Sequence, residues 1–297
     1  MNYRALDLLA CPSCGNALAW DGDALRCPAD GASSHDHPSG LPDLRPPAAR
    51  AADEAFATGY RAARLAEGWL PLAAEAARIL PLGNPPGFTR LYWAVRRESW
   101  DALPDLLAAL GPTPLLIADL GAGFPWLSHR LATLGHRVVA VDLSADPDFG
   151  LGASRLYPTA SNAVDSALAA AHFWPVLGDL ERPPLAAKVY DAVICNASLH
   201  YILDLPPAVR RMAGALRPGG ALIVLDSPCA NIPRSGDRPG SRILGRAELA
   251  GALEAAGLAI RWIALRRGWR WAFHRIRTRL QHRTAFDFPI VVAQSGA

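Results

Sequence analysis

Cysteine is scarce in this chain of 297 residues, and its five copies are an odd number that does not suit a disulfide framework. Three of them, Cys11, Cys14 and Cys27, cluster near the start; Cys195 and Cys229 fall within or beside apolar runs. That usage fits a reducing cytosol, and a cytoplasmic location is the expectation. No stretch approaches the roughly 18 uninterrupted apolar residues of a membrane span. The opening MNYRALDLLACPSCG lacks a long apolar core behind a basic start, so a secretory signal is not expected. Internal repeats and long low-complexity tracts are also missing.

Acids are absent from one stretch that is rich in base. Arg261, Arg266, Arg267, Arg270, Arg275, Arg277, Arg279 and Arg283 succeed one another with no Asp or Glu among them, which leaves 22 basic residues facing 27 acidic ones elsewhere. The net charge of +3 therefore says little about partners, and any argument from charge applies to this C-terminal stretch alone.

What is present is a core-forming composition, 51% hydrophobic and 19% charged, which excludes a disordered chain. Composition divides it into residues 1–47, turn-rich and cysteine-bearing; 48–110, rich in Ala and Arg with apolar residues at helical intervals; and 111–297. In the last region PLLIADL, HRVVAVDLS, DAVICNA and GGALIVLDS read as strands, with WLSHRLATLG and LPPAVRRMAGALRPG as helices between them. RAELAGALEAAGL, AIRWIAL and FPIVVAQ add a helix and two strands. Alternation of this kind implies an α/β fold with a parallel sheet.

The most informative segment is DLGAGFPW, residues 119–126. A dinucleotide site wants G-x-G-x-x-G, so that a third glycine lets helix and strand pack closely and a pyrophosphate sits on the helix N-terminus. Counted from Gly121 and Gly123, that third position is Trp126. A strand ending in an acid before G-x-G suits a ligand without phosphate, S-adenosylmethionine. Gly121, Ala122 and Gly123 let backbone approach it, and Asp119 offers a carboxylate to its cationic amino and sulfonium groups. Asp142, followed by Leu143 at the end of the next strand, is placed to accept the ribose hydroxyls; a strand-end cap is the alternative. GDL offers Asp179 to the adenine amino group and Leu180 to the ring.

Taken together, DLGAG, AVDLS, GDL, YDAVICNASLHYI and LRPGGALIVLDSP resemble the class I S-adenosylmethionine-dependent methyltransferases over residues 113–297. The resemblance is to an uncharacterised bacterial subgroup of the type 11 kind. It implies a Rossmann-like sheet of seven strands, the last antiparallel, with a helical lid from residues 48–110. Pro125 stands where that family often has a third small residue, a position proline can occupy in the first turn of a helix.

Ligands of open α/β sheets bind beyond the carboxyl ends of the strands. CNASLHY leaves the fourth strand there and makes Asn196, His200 and Tyr201 the acceptor-side candidates. Methyl transfer is an in-line displacement that needs positioning and exclusion of water. His200 suits removal of a proton from a hydroxyl acceptor; capping the next helix or packing on the cofactor is its other reading. Asn196 suits orientation of a cofactor or substrate group. Asp226 either faces the same crevice or caps the strand. Trp93 and Tyr92 read as core.

In CPSCGNALAWDGDALRCPAD, Cys11, Cys14 and Cys27 have the spacing of two zinc knuckles, with Asp30 where a fourth thiolate would stand. His35 and His37 are alternative ligands. The segment resembles short zinc-ribbon domains ending G-[IL]-P-D-L, here Gly40 to Leu44, which implies a structural zinc or a metal-free remnant.

Two function classes follow. One is an enzyme methylating a small-molecule or lipid- or glycan-linked acceptor, for which residues 266–283 read as a basic amphipathic helix on an anionic membrane. The other is an RNA methyltransferase, since ribbons also precede this fold in enzymes of ribosomal RNA. Arg and Trp interleave in RRGWRWAFHRIRTRLQHR, which allows stacking. The ribbon itself has Arg4, Arg26, Arg45 and Arg50 against Asp7, Asp21, Asp23, Asp30, Asp36 and Asp43, a poor surface for phosphate.

Overall fold

The computed structural model describes residues 6–296 apart from 23, 35, 69–73, 84–89, 158–171, 237, 239, 266–268 and 281–285. A small antiparallel sheet comes first, from β1 (Ala19–Asp21), β2 (Ala24–Arg26) and β3 (Ser33–Ser34). Helices α1 (Arg50–Ala66), α2 (Ala74–Arg78) and α3 (Arg90–Ala108) follow. The main sheet then begins with β4 (Leu116–Leu120), α4 (Trp126–Thr133), β5 (Arg137–Asp142) and β6 (Phe173–Leu177). It continues with β7 (Tyr190–Asn196), α5 (Leu205–Ala215) and β8 (Leu216–Leu225). Short strands β9 (Cys229–Ala230), β10 (Arg234–Ser235) and β11 (Arg242–Gly245) form a second small sheet. The described elements close with α6 (Arg246–Ala255), β12 (Ala259–Ile263), α7 (Trp269–Leu280) and β13 (Ile290–Gln294).

The seven-stranded sheet has the order β12-β13-β8-β7-β4-β5-β6. β4 to β8 run parallel, and β13 is antiparallel to both of its neighbours. This is the expected arrangement, last strand included. Its central strands are apolar runs because both faces are covered. Ala118, Leu120, Val139, Val141, Val193 and Val224 pack on one side with Val209, Met212 and Leu253 of α5 and α6. Their neighbours Ile117, Val138, Ala192, Ile194 and Ile223 pack on the other with Leu103 and Leu107 of α3 and Leu127 and Leu131 of α4. Each large aliphatic side chain so buried contributes roughly 1.5–3 kcal/mol.

Residues ahead of the main sheet are tied into it. Leu44 N–H donates to Leu177 O at 2.9 Å and Leu177 N–H to Pro42 O at 2.8 Å, so a piece of chain pairs with the outer edge of β6. Arg45 makes a bidentate ion pair with buried Asp43 and donates to Leu143 O at 3.2 Å. Leu8 and Leu9 join the core beside Tyr190, whose hydroxyl donates to Leu8 O at 2.6 Å.

Candidate functional site

The strand tips converge on a cavity of about 490 Å³. β4 ends at Leu120, and the chain turns through Gly121 at φ 69° and Gly123 at φ 49° before α4, a left-handed path that glycine takes without strain. A Cβ on Gly121 would lie 2.4 Å from Ser198 Cβ, so the loop tolerates no side chain there. Gly121, Ala122 and Gly123 all line the cavity. Opposite them, β7 and β8 end in Ala197 and Asp226, both with positive φ, which places Asn196 and Asp226 in the wall.

Carboxylates surround the loop. Asp142 Oδ2 accepts from Gly123 N–H at 2.8 Å and Oδ1 from Ser144 N–H at 2.9 Å, so one side chain fixes both the loop and its own strand tip. Burial pushes its carboxyl up to about 6 against those bonds. Asp119 is buried beneath the loop, accepting from the Ser128 hydroxyl; burial raises it to about 7, assisted by the charge of Asp142. Its other oxygen, Oδ1, is buried with no hydrogen-bond partner among the described residues, and so is Oδ1 of Asn196. Asp179 accepts from Glu181 N–H at 2.9 Å, and burial raises it too. Leu180 approaches the loop, 3.3 Å from where a Gly121 Cβ would stand. Leu143 is half-buried and shares its carbonyl with Arg45.

On the far side of the cavity His200 is buried, with Nδ1 3.5 Å from the Ser227 hydroxyl. Burial, reinforced by the charges of Arg238, Arg96 and Arg64, holds it down to about 3. The imidazole is therefore neutral around pH 7, the form that accepts a proton, with its basicity lowered. Tyr201 packs against Phe56 and Tyr60 of α1, ring centroids 5.9 and 6.1 Å away, and burial raises its phenol to about 12. Asp226 takes the crevice-facing alternative, although its Oδ1 also accepts from Ser99 at 2.6 Å. Trp93 is core and touches the cavity at once; the side chain of Tyr92 lies outside the described residues.

The cysteine segment forms a separate cluster. CPSCG and CPADG fold as two like turns, Gly15 N–H donating to Cys11 O at 2.8 Å and Gly31 N–H to Cys27 O at 3.0 Å. Both glycines have positive φ. The side-chain ligand atoms of Cys11, Cys14, Cys27 and Asp30 all lie within 4.8 Å of one another. Cys14 and Cys27 sulfurs are 3.4 Å apart, and Cys11 Sγ is 3.2 Å from Asp30 Oδ2. His37 instead bonds Ser39, Nδ1 to Oγ 2.9 Å; His35 lies outside the described residues.

Residues 118–224, from mid-β4 to near the end of β8, match the family described as methyltransferase domain. That stretch is similar to a methyltransferase domain. The chain is similar to an uncharacterized methyltransferase of Mycobacterium tuberculosis, 33% identical over 126 residues, which are 42% of this chain and 56% of the relative. It is also similar to the demethylmenaquinone methyltransferase of Mycobacterium marinum, 33% identical over 138 residues, 46% of this chain and 48% of the relative. The chain spans about half the length of the curated relatives it matches. A solved geranyl diphosphate methyltransferase in complex with SAM shares the fold at a TM-score of 0.51 and 20% identity, covering 73% of this chain and 94% of that one.

The glycine loop, Asp142, Asp179, Asn196 and His200 all lie within the matched span. Among the cavity residues outside it that escaped sequence reading are Arg64 of α1, Arg96 of α3, and Arg238 between β10 and β11. Tyr60 and Phe149, ring centroids 5.4 Å apart, close the wall near the loop. YRAARL held the signal for the first: the buried Arg64 sits one turn from Tyr60, its guanidinium 4.5 Å above that ring. Nothing local marks Arg96 or Arg238. On α7, Phe273, Ile276 and Leu280 are exposed at helical spacing beside exposed Arg277, while Trp271 is buried against Phe288 of the cavity wall. No helix among the described residues is long and apolar enough to cross a membrane.

Proposed function

We propose that the chain transfers the methyl group of S-adenosylmethionine to a small-molecule or lipid-linked acceptor held in this cavity. The observation that carries the reading is the turn Gly121-Ala122-Gly123, all three residues open to the cavity and Gly123 N–H bonded to Asp142. The residues fit the cofactor. Asp142 keeps lone pairs for two ribose hydroxyls, Asp179 and Leu180 flank the adenine side, and Asp119 and Asn196 each hold a buried, unsatisfied oxygen beside the loop. When bound, the cofactor supplies a methyl group already activated on a sulfonium. Isothermal titration of the full chain with S-adenosylmethionine is expected to give micromolar-range binding, and absence of heat would remove the assignment.

The remaining work falls to this chain's own groups. Asn196 orients the cofactor or the acceptor, Tyr201 braces α1, and α1 with α3 forms the roof that keeps water out. His200 stays neutral and acts as a hydrogen-bonding wall. The exposed apolar stripe of α7, next to Arg277 and anchored through Trp271 to the cavity wall, supports a lipid-linked acceptor. Against RNA as acceptor stands the use of Arg45 and Arg50 in ion pairs with Asp43, which leaves the ribbon little to offer phosphates.

The division into residues 1–47, 48–110 and 111–297 belongs to the same reading, with a structural zinc in the first part. Cys11, Cys14, Cys27 and Asp30 are of the right type and closeness for a tetrahedral ion. Such an ion would staple a segment that has too little core to fold alone. Metal analysis of the purified protein is expected to return one equivalent of zinc; a value near zero would contradict the ligand set.

A further inference from the structure

Phe273, Ile276 and Leu280 of α7 are 63%, 55% and 76% exposed. Among the described residues no other helix exposes more than one large apolar side chain. At the pitch of an α-helix the three lie within about 60° of one another, on the side away from Trp271. Trp271 itself is buried against Val95 and Phe288 of the cavity wall, its ring centroid 5.5 Å from that of Phe288. One side of α7 is thus fixed to the cavity rim while the other turns an apolar stripe outward. Its charge is of one sign. Between Glu254 and Asp287 the chain has eight arginines and no acid, and Arg270, Arg275, Arg277 and Arg279 belong to α7. Exposed Arg277 stands beside the stripe. A helix of 12 residues is too short to cross a bilayer. An apolar stripe edged by cations instead suits the plane of a membrane interface, with the apolar side chains at the acyl boundary and guanidinium groups on headgroup phosphates.

We propose that this face of α7 docks on an anionic lipid surface and holds the cavity rim at the membrane that carries the acceptor. For the acceptor the inference rests on the reading of the cavity as a methyl-transfer site; for the docking it rests on α7. A second copy of the chain suits the face less well, because a symmetric contact would set one acid-free arginine helix against another. RNA would engage the arginines and leave Ile276 and Leu280, which offer no ring for a base to stack on, in water. A bilayer with anionic headgroups answers the stripe and the charge together.

The test uses the full chain, its Arg277→Glu variant and a double variant with Ile276→Ser and Leu280→Ser, all at exposed positions. Each protein is sedimented with vesicles of phosphatidylcholine and with vesicles of equal parts phosphatidylcholine and phosphatidylglycerol. Melting temperature and S-adenosylhomocysteine affinity are measured in parallel; values matching the wild type certify that the variants are folded. The wild type is expected to sediment with the anionic vesicles and not with the neutral ones. Its partition coefficient should fall about tenfold or more in the double serine variant and about tenfold in Arg277→Glu. No binding to anionic vesicles, equal binding to neutral ones, or unchanged binding by the folded double variant would overturn the proposal. So would two other patterns in the absence of vesicle binding. One is salt-sensitive binding of polyuridylate that Arg277→Glu weakens and the serines leave alone, which would assign the face to RNA. The other is a dimer that the serines dissolve, which would assign it to a second copy. If the wild type bound anionic vesicles but no S-adenosylhomocysteine, the methyl-transfer reading would fail while the docking face stood.

Discussion

Beside the glycine loop stand three carboxylates, Asp119, Asp142 and Asp179, all raised by burial toward the protonated form. Across the cavity three arginines crowd His200, which burial and their charge hold neutral. The carboxylates stand where burial penalises their charge, which a ligand of the opposite sign would relieve. In the proposed reading a sulfonium nucleoside answers the acidic side. The contrast gives the cavity a direction that its shape alone does not.

The strongest way to break the comparison is at Asp142. Asp142→Ala removes the proposed ribose acceptor and the anchor of Gly123, and is expected to weaken S-adenosylhomocysteine by about a hundredfold in calorimetry. An unchanged affinity would empty the acidic end of its meaning. A smaller effect comes with pH. Because burial raises Asp142 to about 6 and Asp119 to about 7, the form that attracts a cation is populated only as pH rises through that window. Affinity for S-adenosylmethionine should climb about tenfold from pH 5 to pH 8. A flat profile would mean that neither carboxylate senses the cofactor.

The smallest effect concerns stability without ligand. A carboxyl whose folded value is raised contributes stability that is intact below its unfolded value, near 4, and is lost as pH climbs through about 7. Asp119→Asn keeps an acceptor for Ser128 and removes the ionisation. It is expected to raise the melting temperature by about 3 °C or more at pH 8 and by much less at pH 5. Equal shifts at both pH values would point to packing instead of charge.

The acidic end was open to reading from the sequence because its groups lie close together in the chain. Strand, glycine turn and strand-tip acid recur within about 25 residues, so local pattern and geometry coincide. The order of the sheet followed for the same reason, since alternating strands and helices leave few topologies. The cysteine cluster was legible too, as two Cys-Pro-x-x-Gly turns a short distance apart. The basic end was not. Arg64, Arg96 and Arg238 are brought together only by packing, and the last rides on the turn of a small sheet, β9–β11, whose strands are too short to leave a periodic trace. The lowered basicity of His200 was not legible either, because burial and arginines far away in the sequence set it.

The strip at residues 42–44 that zips onto β6 has a practical consequence. Its continuation, Arg45, grips the carbonyl of Leu143 at the rim where the nucleoside base is expected to rest. What looks like an appendage is therefore part of the border of the main sheet. Trimming the chain to begin at residue 48 would leave a raw sheet border for other molecules to zip onto.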